Sequence, residues 1–280
     1  MFKRIIKNKS FLLSLLSFSF TLIAFVTVTF AWVAIAYTNE VTPFVVTTGD
    51  DDSFYFEFQQ IIGDEAVDTM EQFKTDTSVP GEKSTFLLTL TNVGNVDSIV
   101  DVSFQNIMSR YKLNSTDKEF TTNYSGEGQY KARSDKIQYS YKFNVDMIVH
   151  VPTDTKYADN IQTSINVPTV EYVTSKGWII DEDETHSYES RWFNKVDESG
   201  QDLPNINLVE NLRIYNKNST VKGKTGYSTV FVFFSIEFNG TGPNFPPGVD
   251  DPGNVVYDNA YYADQQFYIS NLLVQGKTND

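Results

Sequence analysis

Two histidines, His150 and His186, are the only imidazoles in the 280 residues, and there is no cysteine. Thiolate catalysis, thiolate metal sites and disulfides are therefore excluded. No H-E-x-x-H zinc motif, no G-x-S-x-G nucleophile elbow and no P-loop occurs. Gly126-Glu127-Gly128 lacks the third glycine and the strand context of a dinucleotide loop. Hydrolysis would have to rest on carboxylates alone, as in a glycosidase pair. His150 falls at the end of a long alternating segment, on its polar side, and both histidines read as structural. The chain is expected not to be an enzyme.

Carboxylates are the remaining chemistry. Asp50-Asp51-Asp52 precedes a strand-like segment, Asp181-Glu182-Asp183-Glu184 is the densest run, and Asp250-Asp251 lies among glycines and prolines. Hard oxygen donors beside loop carbonyls suit calcium. None of the runs has EF-hand spacing, and consecutive acids cannot all face one ion. The alternative is a solvated acidic loop. If calcium is bound, Asp50 to Asp52 or Asp181 to Glu184 are its candidate ligands; no other cofactor is expected. Trp178, Trp192, Tyr261 and Tyr262 are candidates for stacking on sugar faces, or else for packing in a core.

Charge narrows the partners. Lys3, Arg4, Lys7 and Lys9 are the only charges in the first 36 residues, leaving 18 basic against 36 acidic groups, a net of −18, in the rest. Such a body repels phosphate backbones, so nucleic acid is not an expected partner. Phe11 to Ala36 is a charge-free run of 26 residues behind that basic start. This is the pattern of an export signal, with the cations held on the cytoplasmic side. Ala34-Ile35-Ala36 is an A-x-A site with cleavage before Tyr37, and Thr29-Phe30-Ala31 is a second. The run exceeds the ~7–15 residues of a signal core and passes the ~20 that span a bilayer. Cleavage by a signal peptidase and retention as a membrane anchor both stay open. Either places the body at the cell surface or outside the cell.

The body must be built from strands. Aromatics are 15% of the chain, with 22 Phe and 16 Tyr, and such side chains suit a pleated surface. Period-2 alternation marks Phe54, Phe56 and Phe58. It recurs at Phe86, Leu88 and Leu90, and after an Asn/Gly break at Val100, Val102 and Phe104. Tyr139, Tyr141, Phe143, Val145, Met147 and Val149 extend it over six alternate positions. Val230 to Phe238 alternates with Phe231 and Phe233 on the other face, predicting a central strand. Residues 63–73 suggest a short helix, Val170 and Tyr172 a short strand, 107–135 a polar excursion, 239–254 a loop, and 267–274 a final strand. The expected fold is all-β: an antiparallel β-sandwich, jelly-roll-like, with long loop excursions, preceded by an N-terminal hydrophobic helix. The expected organisation is a signal or anchor at 1–36, an extended segment at 37–52 and one β-sandwich domain at 53–280.

Three short motifs bear on a family. Thr29-Phe30-Ala31-Trp32 is similar to the T-x-A-W ending read by SipW-type signal peptidases. Val79-Pro80-Gly81-Glu82-Lys83 leads through Phe86-Leu87-Leu88-Thr89-Leu90 to Thr91-Asn92-Val93-Gly94, a "PG, strand, N-x-G" signature. Val230 to Gly240 resembles a closing strand. Together these resemble the TasA/camelysin family of exported biofilm-matrix fibre proteins. Val33-Ala34 departs from the aromatic usual after the tryptophan, and 40 residues follow the closing strand. The resemblance implies a jelly roll, export, and assembly as a homopolymer in which an N-terminal strand completes the sheet of the next subunit. The matching segment is Tyr37 to Thr48, with Val41, Phe44, Val45 and Val46 as its apolar teeth. A monomeric surface module for glycan or calcium, held by an uncleaved helix, is the alternative.

Overall fold

The computed structural model describes residues 45–48, 54–62, 65–68, 81, 83–113, 116–120, 132–157, 167–183, 186–239, 241–251, 253, 256, 261–262 and 265–277. In chain order the strands begin with β1 (Val45–Thr48), β2 (Phe54–Ile62), β3 (Glu65–Asp68), β4 (Lys83–Asn92) and β5 (Ser98–Gln105). β6 (Met108–Leu113) and β7 (Thr116–Lys118) follow, then two 3-10 turns at Arg133–Asp135 and Ile137–Ser140, and β8 (Tyr141–Val151). The second half holds helix α1 (Val170–Ser175), β9 (Ile179–Ile180), β10 (Arg191–Trp192) and β11 (Ile206–Ile214). A small hairpin of β12 (Thr220–Val221) and β13 (Lys224–Thr225) precedes β14 (Thr229–Phe238), β15 (Gln265–Tyr268) and β16 (Asn271–Lys277).

The large sheet runs β10-β8-β14-β4-β2-β3, with β9 also on β8, and the smaller one runs β1-β16-β5-β11. A three-stranded patch, β15-β6-β7, lies beside them. The expectation of an all-β, sandwich-like body agrees with this architecture. β14 sits between β8 and β4, as its two apolar faces require. Phe86, Leu88, Leu90, Val230, Val232 and Phe234 face Val100, Val102, Phe104, Leu272 and Val274 across the main core. Phe234 stacks on Phe86 and Phe58 and meets Phe104 edge-on, at centroid distances of 5.2, 6.0 and 5.9 Å. The opposite face of the large sheet carries a second core. There Leu87, Phe231, Phe233, Val149 and Val151 pack under Tyr157, Trp178 and Val173 of α1.

Several local expectations are corrected. Residues 65–68 form strand β3 on β2, not a helix turn, because the pairing supplies an edge that local propensity cannot register. Val170 and Tyr172 lie in α1, started by the Thr169 side chain accepting from the Tyr172 N–H. The 107–135 excursion contains β6 and β7, and the final strand is broken into β15 and β16 at Ile269-Ser270. The run from Tyr139 to Val149 does not keep one face. Tyr139 belongs to a 3-10 turn, and the β8–β14 register shifts between Phe233 and Phe234, leaving Asp146 as the extra residue. Such a bulge reverses the phase of everything beyond it. Tyr141, Phe143 and Val145 face the main core, while Met147 and Val149 face the second.

Gly81 and Asn92-x-Gly94 frame β4. Gly81 adopts φ +86°, a left-handed conformation open to glycine, and donates its N–H to the Phe238 carbonyl at 2.7 Å. Asn92 is buried; its Oδ1 accepts from the Gly94 N–H at 2.8 Å, closing the turn. Its Nδ2 donates to the carbonyls of Val96, at 2.8 Å, and of Ile214 in β11, at 3.1 Å. One amide thus staples the large sheet to the small one. Asn92→Ala leaves a buried N–H and carbonyls unpaired and should cost about 2–4 kcal/mol. Asn92→Asp should cost at least as much, because it turns a carboxylate oxygen against two carbonyls. Urea unfolding of both variants checks this, and equal stability of N92D and wild type would refute the staple.

Candidate functional site

The acidic loop between β9 and β10 leaves the sheet edge and returns to it, since both short strands pair with β8. The Asp181 N–H donates to the Ile148 carbonyl at 3.0 Å, so its side chain starts beside the end of β8. There it meets both histidines of the protein. Asp181 Oδ2 lies 3.6 Å from His150 Nε2 and 3.4 Å from His186 Nδ1. All three side chains are nearly enclosed, and the His150 ring meets Tyr215 edge-on at 5.2 Å. His150 is therefore buried, not on an open polar face: the bulge in β8 and the overlying loop cover it.

The acidic run does not gather. Asp181 turns inward, and its Oδ1 accepts the Asp183 N–H at 2.9 Å. Glu182 pairs with Lys222 at the hairpin tip at 2.7 Å, and Asp183 is exposed. Alternate backbone directions send neighbouring carboxylates apart. Among the described residues no three His, Asp or Glu side chains converge on a metal position. Glu184 and Asp50 to Asp52 lie outside the described residues, as do Val41, Phe44 and the cleavage residues Ala34, Ala36 and Tyr37. Of the aromatics offered for sugar stacking, Trp178 and Tyr262 are buried in the cores; the Tyr262 hydroxyl bonds Ser140 Oγ at 2.7 Å. Trp192 and Tyr261 are half-buried, and Tyr261 donates to Asp135.

Charge accounts for the His–Asp–His group. Burial alone would raise the Asp181 carboxyl, but the two imidazoles and the Asp183 N–H hold it well below the usual carboxylate range. Burial likewise pulls His186 down, and the charges of Asp181 and Asp183 outweigh it, so the ring titrates above its ordinary value. Burial and the same two acids push the Tyr188 hydroxyl up. The 3.4 Å contact is an ion pair without hydrogen-bond alignment: among the described residues neither ring nitrogen of His186 has a hydrogen-bond partner. Neither imidazole bonds a hydroxyl among the described residues. The arrangement suits a clasp that holds the loop to β8. No spacing in the sequence links positions 150, 181 and 186; only the folding of the loop onto β8 joins them.

The second site is the edge of the small sheet. β1 pairs with β16 in parallel, Val45 opposite Asn271 through Thr48 opposite Val274, in a molecule whose other described pairings are antiparallel. β16 continues for three residues beyond this contact. The opposite edge, β11, is blunted by two register breaks and by Asn211 at φ 56°, whose N–H donates to Asp101 Oδ1. Val45 and Val46, read as teeth for a neighbouring subunit, thus lie in a strand on the chain's own sheet. No protein-family model matches the chain, and no curated protein matches it.

The clasp has a defined pH window. His186 is raised, so its contribution is fully present below the ordinary histidine value of 6.5 and is lost as pH rises through the folded value. Asp181 is depressed, so its contribution is present above 3.8 and is lost as pH falls through the folded value. The stability difference between wild type and Asp181→Asn should therefore be largest near pH 5.5 and shrink by pH 8.5. Thermal melts of both proteins across that range check it; a constant difference would refute the ion pair.

Proposed function

We propose that this chain is an exported structural protein of the cell surface or extracellular matrix. Its copies associate by exchange of the N-terminal strand. The observation that carries this reading is β1 itself: four residues in a lone parallel pairing, at a sheet edge that has no bulge. Parallel pairing is slightly less stable per residue than antiparallel. Leu272 and Val274 of β16 are already buried in the main core, so an incoming strand has mainly to satisfy the main chain. When β1 leaves, β16 presents an unpaired row to the β1 of another copy. The charge-free run and the basic start of the chain support export, and the "PG, strand, N-x-G" motif supports a jelly-roll relative of the TasA type. The strongly acidic body keeps unassembled copies apart through mutual repulsion.

Retention of the hydrophobic segment gives the second reading, a membrane-anchored module that binds glycan or calcium. Tethering β1 to a bilayer would hinder its exchange. Strand exchange can be tested directly, because the chain has no native cysteine. Thr47 and Leu273 are register partners. The protein lacking residues 1–36 and carrying Thr47→Cys with Leu273→Cys should remain monomeric when oxidised and form fibres once reduced, followed by size-exclusion chromatography and electron microscopy. Fibres from the oxidised protein at the wild-type rate would sink strand exchange.

A further inference from the structure

Among the described residues a cavity whose charge runs the other way opens in the acidic body. It measures about 590 Å³ and opens between β6, the end of β7 and the link between the two 3-10 turns. That volume lies within the range of small-molecule sites, about 300–1,000 Å³. Arg110, Lys118 and Lys136 line it, against the single acid Glu119. This is a net of +2 in a body of −18. Lys136 is committed: its Nζ donates to Asp202 Oδ2 at 2.5 Å. Arg110 and Lys118 form no ion pair among the described residues. The guanidinium of Arg110 is nevertheless held in place, stacked 4.3 Å over Tyr268 and donating from Nε to the Met108 sulfur at 3.3 Å. Arg110 is exposed but held by these neighbours and forms no ion pair, which lowers its reorganisation cost for a ligand anion, and a guanidinium matches a carboxylate in two-point geometry.

Phe120 supplies the other half. Its ring is half-buried in the wall, met by Tyr111 in a T-shaped contact at 4.8 Å, with Lys136 Nζ over one face, 5.7 Å from the centroid. A flat apolar face beside two uncommitted cations is complementary to a ring that bears a carboxylate. Long polyanions with phosphate backbones are disfavoured, because they would cross the acidic surface around the cavity. At physiological salt, screening confines that repulsion to about 8 Å, so a short ligand is free to use the local cations.

We infer that this cavity binds the carboxylate-bearing ring of an acidic glycan, with Arg110 and Lys118 on the carboxylate and Phe120 against the sugar face. For an exported surface or matrix protein this gives a link to a glycan that carries a uronic acid at a chain end or at isolated positions, where few carboxylates meet the acidic surface. No residue of β1 lines the cavity, so the inference does not depend on strand exchange.

The test is calorimetric titration of the full body, residues 37–280, with tetragalacturonate, with its methyl ester and with inorganic sulfate. Saturable binding of the free acid is expected, with at least ten-fold weaker binding of the ester and of sulfate. Arg110→Gln and Lys118→Gln should each weaken the acid at least five-fold. Phe120→Ala should weaken it while leaving the weak sulfate response unchanged. Glu119→Gln should tighten it, which a merely unfolded variant could not do. No saturable signal with the free acid, equal binding of ester or sulfate, or unchanged affinity in Arg110→Gln and Lys118→Gln would each overturn the assignment. Stronger binding of an oligonucleotide than of the uronate would overturn it as well.

Discussion

The fold turns on β14, a strand with apolar side chains on both faces. Phe234 and its alternates face one way and Phe231 and Phe233 the other, and all are fully buried. A sheet centred on such a strand must be covered twice. The small sheet covers one face, and α1 with the segments around Tyr157 and Trp178 covers the other. At about 25 cal/mol per Å² of apolar surface, leaving either side open would cost more than a domain's whole margin of stability. Without disulfides, this double burial is what a body of this composition has to rely on.

The polar staples then fix how the layers close. Asn92 ties the β4 turn to β11. Arg191, on β10 at the edge of the large sheet, lies 4.7 Å over Phe143 and donates to the carbonyls of Asn207 and Leu208 in β11. Asp181 brings the acidic loop back to β8 through the two histidines. Asn92 is buried and Arg191 and Asp181 are half-buried, each would be costly alone, and each joins elements far apart in sequence. They give a sandwich whose β11 and β10 sides are closed by side chains and bulges, and whose β1 side is closed only by four residues of backbone pairing.

Part of this was legible in the residues. The alternation of β4, β5 and β14 placed Phe86, Leu88, Val102, Phe104 and Phe234 in a common core, and two apolar faces made β14 central. Pro80-Gly81 and Asn92-x-Gly94 marked turns, because positive φ and Asx geometry are properties of a few adjacent residues. Elsewhere the same local signals misled. Six alternate positions from Tyr139 to Val149 looked like one face, and a single extra residue at Asp146 divided them between two cores. Val170 and Tyr172 had strand-type side chains, and a threonine cap with burial of Val173 made them helical.

The sequence by itself determined the class of the protein: a basic start with a long charge-free run, an acidic cysteine-free body, and period-2 strands that can form only layered sheets. These follow from composition and from neighbours one to four residues apart, which act in any context. The tertiary structure alone decided which side chains meet. Asp181 beside His150 and His186, Arg110, Lys118 and Phe120 around one cavity, and β1 against β16 are placements set by strand register and loop return. Register depends on the fit of the whole sheet, so no stretch of sequence short enough to read locally contains it.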